Sequence, residues 1–326
     1  MNVPEISVVM SVYNGERYLR QAADSILAQE GIEFEFIVVD DGSSDSSPRI
    51  LEEYACHDPR VRVICQENAG LTRALIRGCV EARGEYIARQ DADDVSLPGR
   101  LAKLADVLRR DHTLSFVSSW SQVIGPEGEV LMTHTRPEDP YRATELLLFG
   151  GAGPPGHGSV MFRRSRYEAV GGYRAEFYFA QDCDLWFRLG ENGRLGYVPQ
   201  VLYQYRVSPG SVSGNRNFIK VEFAEAVSRC RDARRRGENE SDILSACVRL
   251  ANRTRETSPA SEAATLYFLG RNLLRRNPVQ AVKYLVACIR KSPWHFRAWS
   301  CLAAVVPCLL ISLASDPSAG EQPSDP

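Results

Sequence analysis

Five short runs of β-branched and aromatic residues punctuate the first 120 positions: Ile6–Val12, Phe34–Asp40, Val61–Cys65, residues 86–90 and residues 114–120. Each has the length and composition of a strand. Between them the apolar spacing changes to that of a helix. Residues 18–29 put Leu19, Ala22, Ala23, Ile26 and Leu27 on one stripe, residues 47–56 open with Ser47-Pro48 as N-cap and first helical residue, and residues 70–82 follow a loop. Strand–helix–strand alternation predicts an α/β domain with a parallel sheet covered by helices on both faces. Ligands are then expected at the carboxyl ends of the strands.

From 121 to 214 the pattern loosens. Glycine and proline cluster at 150–158 and 209–214, loops of the kind that carry function. Strands are predicted at 159–163 and 202–206, and a helix at 182–192 with Leu185, Trp186 and Leu189 facing inward. A first domain over 1–214 is followed by a basic helical region over 215–315. There Asn277-Pro278 and Ser292-Pro293 each supply an N-cap and a proline for the first turn, which predicts helices at 262–276, 278–291 and 293–314. The polar, proline-rich residues 316–326 are predicted to be a disordered tail.

Composition narrows the class without changing the fold. In 326 residues, 44% are hydrophobic and 25% charged, the balance of an ordinary folded protein. The net charge of −2 gives no reason to expect nucleic acid as a partner. That value is a cancellation: residues 1–214 carry 22 basic and 30 acidic side chains, residues 215–315 carry 17 and 8, and the tail adds three acids. Nine cysteines without a Cys-x-x-Cys pair make neither a disulfide nor a zinc framework. With no basic-then-apolar leader at the N-terminus, the expected location is the reducing cytoplasm.

The chemistry shows in where acids fall relative to the strands. Asp40 and Asp41 end the second run and lead into Gly42-Ser43-Ser44-Asp45; Asp91, Asp93 and Asp94 end the fourth. In a parallel sheet both clusters lie on one edge. Asp, Gly and Ser also make ordinary turns, so the first cluster is either turn chemistry or part of a site, and spacing leaves both readings open. Three carboxylates in four residues exceed what a turn needs, and their mutual repulsion calls for a cation. An oxygen-only set selects Mg²⁺ or Mn²⁺ over zinc. Further along, Asp182 stands at a predicted helix start. It is either an N-cap or a general base facing a cleft, and spacing leaves both readings open.

Taken in order, Ser7-Val8-Val9-Met10-Ser11-Val12-Tyr13-Asn14-Gly15, Val38-Val39-Asp40-Asp41-Gly42-Ser43, Asn68-x-Gly70-Leu71, Gly84-Glu85-Tyr86 through Asp91-Ala92-Asp93-Asp94, and Gln181-Asp182-x-Asp184-Leu185-Trp186 resemble the family 2 glycosyltransferases over about residues 4–214. The resemblance implies the GT-A fold, a Rossmann-like mixed sheet flanked by helices, here with a helical C-terminal extension. It implies inverting transfer of a sugar from a nucleotide-diphosphate donor, a UDP-sugar favoured, to an acceptor hydroxyl in surface polysaccharide or glycoconjugate synthesis. By the same resemblance Val12, Tyr13, Glu16, Asp41, Arg73 and Asp91 hold the nucleotide. Asp91 and Asp93 form the Asp-x-Asp element that binds the diphosphate through Mg²⁺ or Mn²⁺, Asp93 more directly. Asp182 matches the catalytic base. His157, Trp186 and Arg206 are candidate acceptor or phosphate contacts. Gly158 stands where family members commonly carry proline, which predicts a looser loop.

Two other functions remain open from sequence, a catalytically silent nucleotide-sugar-binding protein and a sugar-phosphate nucleotidyltransferase. The second would want a basic glycine-rich loop after the first strand, where this chain has Tyr13-Asn14-Gly15-Glu16. The C-terminal third also has two readings. Residues 263–315 carry seven Lys or Arg and no acid, and residues 301–314 are apolar except for Pro307 and Ser312. The run is shorter than the ~20 residues a spanning helix needs. It is either a packed helical subdomain or an interfacial anchor on an anionic membrane, at the inner face of the cell membrane, near a glycan or lipid-linked acceptor.

Overall fold

A computed structural model describes residues 3–209, 218–251 and 259–314, with side chains of the last helix described through Val305. The tail at 316–326 and all but the first residue of the loop at 209–214 lie outside the described residues.

The predicted alternation is present with nearly the predicted bounds: β1 (Ile6–Val12), α1 (Glu16–Leu27), β2 (Phe34–Asp40), α2 (Ser47–His57), β3 (Val61–Cys65), α3 (Leu71–Val80), β4 (Tyr86–Asp91). There follow β5 (Val95–Ser96), α4 (Arg100–Arg110), β6 (Leu114–Ile124), β7 (Val130–His134), α5 (Pro140–Gly150), a 3₁₀ turn at His157–Ser159, β8 (Met161–Arg163), α6 (Arg164–Ala169), α7 (Gln181–Glu191) and β9 (Arg194–Arg206). The sheet runs β3-β2-β1-β4-β8-β6-β9-β5, with β7 on β6. Only its first four strands are mutually parallel. β8 is antiparallel to both β4 and β6, and β5 to β9, so the sheet is mixed rather than parallel throughout.

Period-2 alternation explains why both faces are covered. On β1, Ile6, Val8, Met10 and Val12 pack with Leu19, Ala22 and Ile26 of α1 and with Leu101 and Leu104 of α4. Val9 faces the other way, into a core shared with Leu75, Phe116, Phe162 and Leu185. Ser47, expected as a cap, begins α2 instead. Ser46 holds the cap position without a side-chain bond, and the Ser47 hydroxyl accepts the Gly15 N–H at 2.9 Å, tying the loop after β1 to that after β2.

At the amino end of the strands, Glu35 is 3% exposed and gathers the Ser7 hydroxyl, the Arg83 backbone and guanidinium, and Arg62, at 2.7–3.0 Å. Burial pushes its pKa up, but the hydrogen bonds from Arg83, Ser7 and Arg62 outweigh that and hold it below the usual value. A depressed carboxylate stabilises the fold above its unfolded pKa of about 4.3 and loses that contribution as pH falls. Glu35→Gln is therefore expected to cost about 2 kcal/mol near neutral pH, discounted for the part-exposed arginines. The gap between the urea midpoints of variant and wild type should narrow steadily as the pH falls below about 4.3; a gap that does not change with pH would contradict the charge argument.

Beyond β9 the chain is helical: α8 (Phe218–Arg236), α9 (Ser241–Ala251), α10 (Pro259–Leu273), α11 (Pro278–Lys291) and α12 (Phe296–Ala314). Contacts divide the described residues into two units. The first holds 3–123, 133–206 and 218–251, so α8 and α9 belong with the sheet. The second holds 124–132, 207–209 and 259–314. In it Ala263 and Leu266 of α10, Leu285 and Cys288 of α11 and Ala298 of α12 form a small core. Asn277 caps α11 as expected, accepting the Gln280 N–H. Ser292 does not cap α12. It ends α11, its carbonyl accepts the His295 N–H in a turn, and α12 starts three residues later than predicted.

Candidate active site

Strand register puts the two acidic clusters on one edge. Val12 of β1 pairs with Asp40 of β2 on one side, and Ser11 pairs with Asp91 of β4 on the other, so the loops after all three strands open together. The first two are stitched to each other. Asn14, at φ +51°, accepts the Ser44 N–H at 2.8 Å while its own N–H goes to Ser43, and Glu16 and Asp45 exchange bonds with the opposite loop. Buried Val12 accepts the Asp41 N–H at 2.9 Å, and Tyr13 stands 55% exposed beside it. The Asp41 carboxylate is buried and takes the Gln66 amide and the N–H groups of Ala69 and Gly70 at 2.7–2.9 Å. Those bonds fix the start of α3. Arg73 lies exposed on its first turn, with no hydrogen bond or ion pair among the described residues.

The third loop holds excess negative charge. Asp94 is buried, accepting the Tyr203 hydroxyl at 2.8 Å and the Arg206 N–H at 2.7 Å. Burial, then Asp93 and Asp91, push its pKa well above the usual value. Asp93 is pushed up to about 6 by burial and then by Asp91, with Arg206 pulling it back. Asp91 is gripped from beneath by the fully buried Arg89, whose Nη2 meets Oδ1 at 2.5 Å, while Oδ2 has no hydrogen bond among the described residues. Arg206, a candidate phosphate contact, is itself buried. Its Nε donates to the Asp93 carbonyl, Nη2 donates to Gln21, and the guanidinium lies 4.3 Å over the Tyr18 ring. It braces the turn.

Arg89 also leads toward α7. Its Nε donates to His157 Nε2 at 3.4 Å, and the Tyr173 hydroxyl lies 2.6 Å from that nitrogen. An arginine can only donate, so Nε2 carries no proton and the Tyr173 hydroxyl donates to it. Burial, then Arg89, lower the His157 pKa to about 4, against pulls upward from Asp182 and Asp91, and the ring is neutral at neutral pH. Asp182 thus shares one neighbourhood with Asp91. It is not the helix cap. Ala180 takes that position with φ +58°, and Asp182 is the second residue of α7, Oδ1 accepting the Cys183 N–H at 2.8 Å. A left-handed alanine is a strained residue, held here two positions before the carboxylate. One turn on, Trp186 is 5% exposed, its indole edge-on to His157 at 6.3 Å and its Nε1 without a partner among the described residues.

The loop at 158 is the reverse of loose. Gly158 is buried, its carbonyl accepts from the buried Arg100 at 2.6 Å, and a Cβ there would lie 1.7 Å from the Tyr203 hydroxyl. Arg89, Arg100 and Tyr203 had no role assigned from sequence. The available signal was a cation within the apolar run that ends at Asp91. A separate concavity of about 400 Å³ lies against α8 and α9, lined by Glu225, Arg229, Ile243 and Cys247 among others, and Asp41, Asp91, Asp93, Asp94 and Asp182 do not line it.

The residues fit a divalent ion of one kind. Among the described residues no three metal-ligating side chains converge. Asp93 and Asp91, the latter already paired through one oxygen with Arg89, suit a hard cation that completes its shell with substrate phosphates and water.

Comparison with known proteins agrees with this architecture. Residues 7–171 match the family model described as glycosyl transferase family 2. An uncharacterised glycosyltransferase of Methanocaldococcus jannaschii is 31% identical over 212 residues, covering 64% of this chain and 72% of that one. The solved structure of residues 1–349 of TarS from S. aureus in complex with UDP has a TM-score of 0.56 at 17% identity, covering 98% and 94% of the two chains. The mannosyltransferase PcManGT from Pyrobaculum calidifontis, in complex with GDP-Man and Mn²⁺, has a TM-score of 0.53 at 19% identity, covering 98% and 89%. At those identities the structures speak for the GT-A fold alone, while the family model spans half the sequence. The chain therefore belongs to glycosyl transferase family 2 and is a glycosyltransferase.

Proposed function

We propose that the protein transfers a sugar, with inversion, from a nucleoside-diphosphate donor to the hydroxyl of a glycan or lipid-linked glycan. The observation that supports this reading is that Asp91 and Asp182 both act on the buried His157, with Arg89 bonded to Asp91 and to His157. Val12, Tyr13, Glu16, Asp41 and Arg73, at the carboxyl ends of β1 and β2 and the starts of α1 and α3, hold the nucleotide. UDP and GDP-Man, bound by the TarS and PcManGT structures, are the donor types to test. Asp91 and Asp93 would hold Mg²⁺ or Mn²⁺ at the diphosphate, and a bound ion would offset charge on the departing phosphate oxygens. Asp182 accepts the acceptor's proton as its oxygen bonds to the anomeric carbon; the bond from that carbon to the diphosphate breaks, and its electron pair leaves with the nucleotide. One base and one displacement invert the centre. His157 stays neutral through the cycle and positions rather than protonates.

Thermal unfolding against UDP- and GDP-sugars with and without Mn²⁺ tests the donor half. A donor at 100 times its Kd adds about 2.7 kcal/mol of stability, and the Mn²⁺-dependent part should vanish in Asp93→Asn. A flat panel overturns the proposal. NMR of the anomeric proton in the product tests inversion.

A further inference from the structure

The second unit presents an aromatic and cationic surface that the sugar chemistry does not use. Trp294 is 81% exposed in the turn after α11, and Phe296 and Trp299 are 73% and 52% exposed on the first turn of α12. Trp299 is held outward by its own Nε1, which donates to the Pro293 carbonyl at 2.9 Å. On α12, Phe296, Trp299 and Ala303 recur on one helical face, opposite buried Ala298 and Val305. On α11, exposed Val279, Lys283 and Arg290 form a stripe with half-buried Val286, opposite buried Ala281, Leu285 and Cys288. From 259 to 314 there are seven Lys or Arg against the single acid Glu262.

We propose that this corner of α11 and α12 docks on an anionic lipid surface, the aromatic rings at headgroup depth and the cations against lipid phosphates. Tryptophan at the polar boundary with flanking Lys and Arg is the chemistry of a helix lying in an interface. Charge complementarity selects anionic over neutral lipid. Lying on the surface also agrees with the length of α12, since among the described residues no helix is long and apolar enough to cross a membrane. The proposal goes beyond the donor and acceptor chemistry and does not depend on it.

The full chain contains four tryptophans, of which Trp186 is buried and Trp120 half-buried, so fluorescence reads Trp294 and Trp299. On mixing with phosphatidylcholine vesicles doped with phosphatidylglycerol, the emission should shift to the blue, brominated lipid should quench it, and the protein should sediment with the vesicles at low salt. Trp294→Ala/Trp299→Ala should abolish sedimentation while keeping the thermal stabilisation by nucleotide sugars. Lys283→Ala/Arg290→Ala, in case the first variant folds poorly, should weaken binding about 30-fold at full tryptophan content. Equal binding to pure phosphatidylcholine, unchanged binding by either variant, or no binding at all overturns the proposal. So does a blue shift that tracks protein concentration without lipid, which would mark self-association, or retention on immobilised polysaccharide in place of vesicles.

Discussion

Replacing Asp182 by asparagine is expected to lower turnover by about 10²–10⁴-fold, the usual worth of a general base, while the Kd for the donor changes little. Asparagine keeps the shape and can still accept the Cys183 N–H through its carbonyl oxygen. It loses only the charge and basicity. The electrostatic effect on His157 runs in a harmless direction: Asp182 pulls its pKa upward, so without Asp182 it falls further below about 4 and the ring is neutral in both proteins. Tyr173, already held well above its usual pKa by burial, likewise stays protonated. The measurement is kcat against KM for the donor, with donor Kd taken from thermal shift. A drop in kcat of less than about fivefold would fall short of what a general base contributes and would remove Asp182 from that role. A loss carried entirely by donor Kd would make it a nucleotide ligand instead.

The strand–helix alternation was legible because β1 and β2 are buried on both faces and read as mainly apolar runs. The antiparallel half was harder. The whole of α5 lay in a stretch without clear period, although Asp139-Pro140 carries a capping signal and the Asp139 side chain does accept the Tyr141 and Arg142 N–H groups. Ser47 shows the limit of capping rules, since its hydroxyl is engaged 32 residues away. At the site, Asp91, Asp93 and Asp182 stood out through sequence motifs, because acids after strands and at helix starts have local signatures. What sequence spacing does not reveal is the support beneath them. Arg89, Arg100 and Tyr203 come from three separate elements and acquire meaning only when the sheet closes. Arg206 is the converse case, a cation that suggests a ligand contact in sequence and is buried bracing Asp93 and Asp94 in the fold.

Gly158 shows how much depends on that support, and Gly158→Ala should be among the most damaging single-methyl additions available. The new Cβ would sit 1.7 Å from the Tyr203 hydroxyl, 2.5 Å from the ring carbon that bears it and 3.0 Å from Asp91 Oδ2. Relief requires Tyr203 to move, and Tyr203 is fully buried with its hydroxyl donating to Asp94 and accepting the Asp91 N–H. Its ring also lies 4.9 Å beneath the Arg100 guanidinium, and Arg100 holds the Gly158 carbonyl, so the ring and the loop cannot shift independently. Overpacking costs about 1–3 kcal/mol and leaving the buried Asp94 without its donor adds a similar amount, which together give a loss of about 3 kcal/mol or more. In a domain of this size that lowers Tm by roughly 6–12 °C. Because the displaced groups set where Asp91 and Asp94 point, the Mn²⁺-dependent stabilisation by donor should fall together with Tm. A loose loop would behave oppositely, with Gly158→Ala reducing the entropy of the unfolded chain and raising Tm slightly. The sign of the Tm change therefore decides whether position 158 is a hinge or a contact.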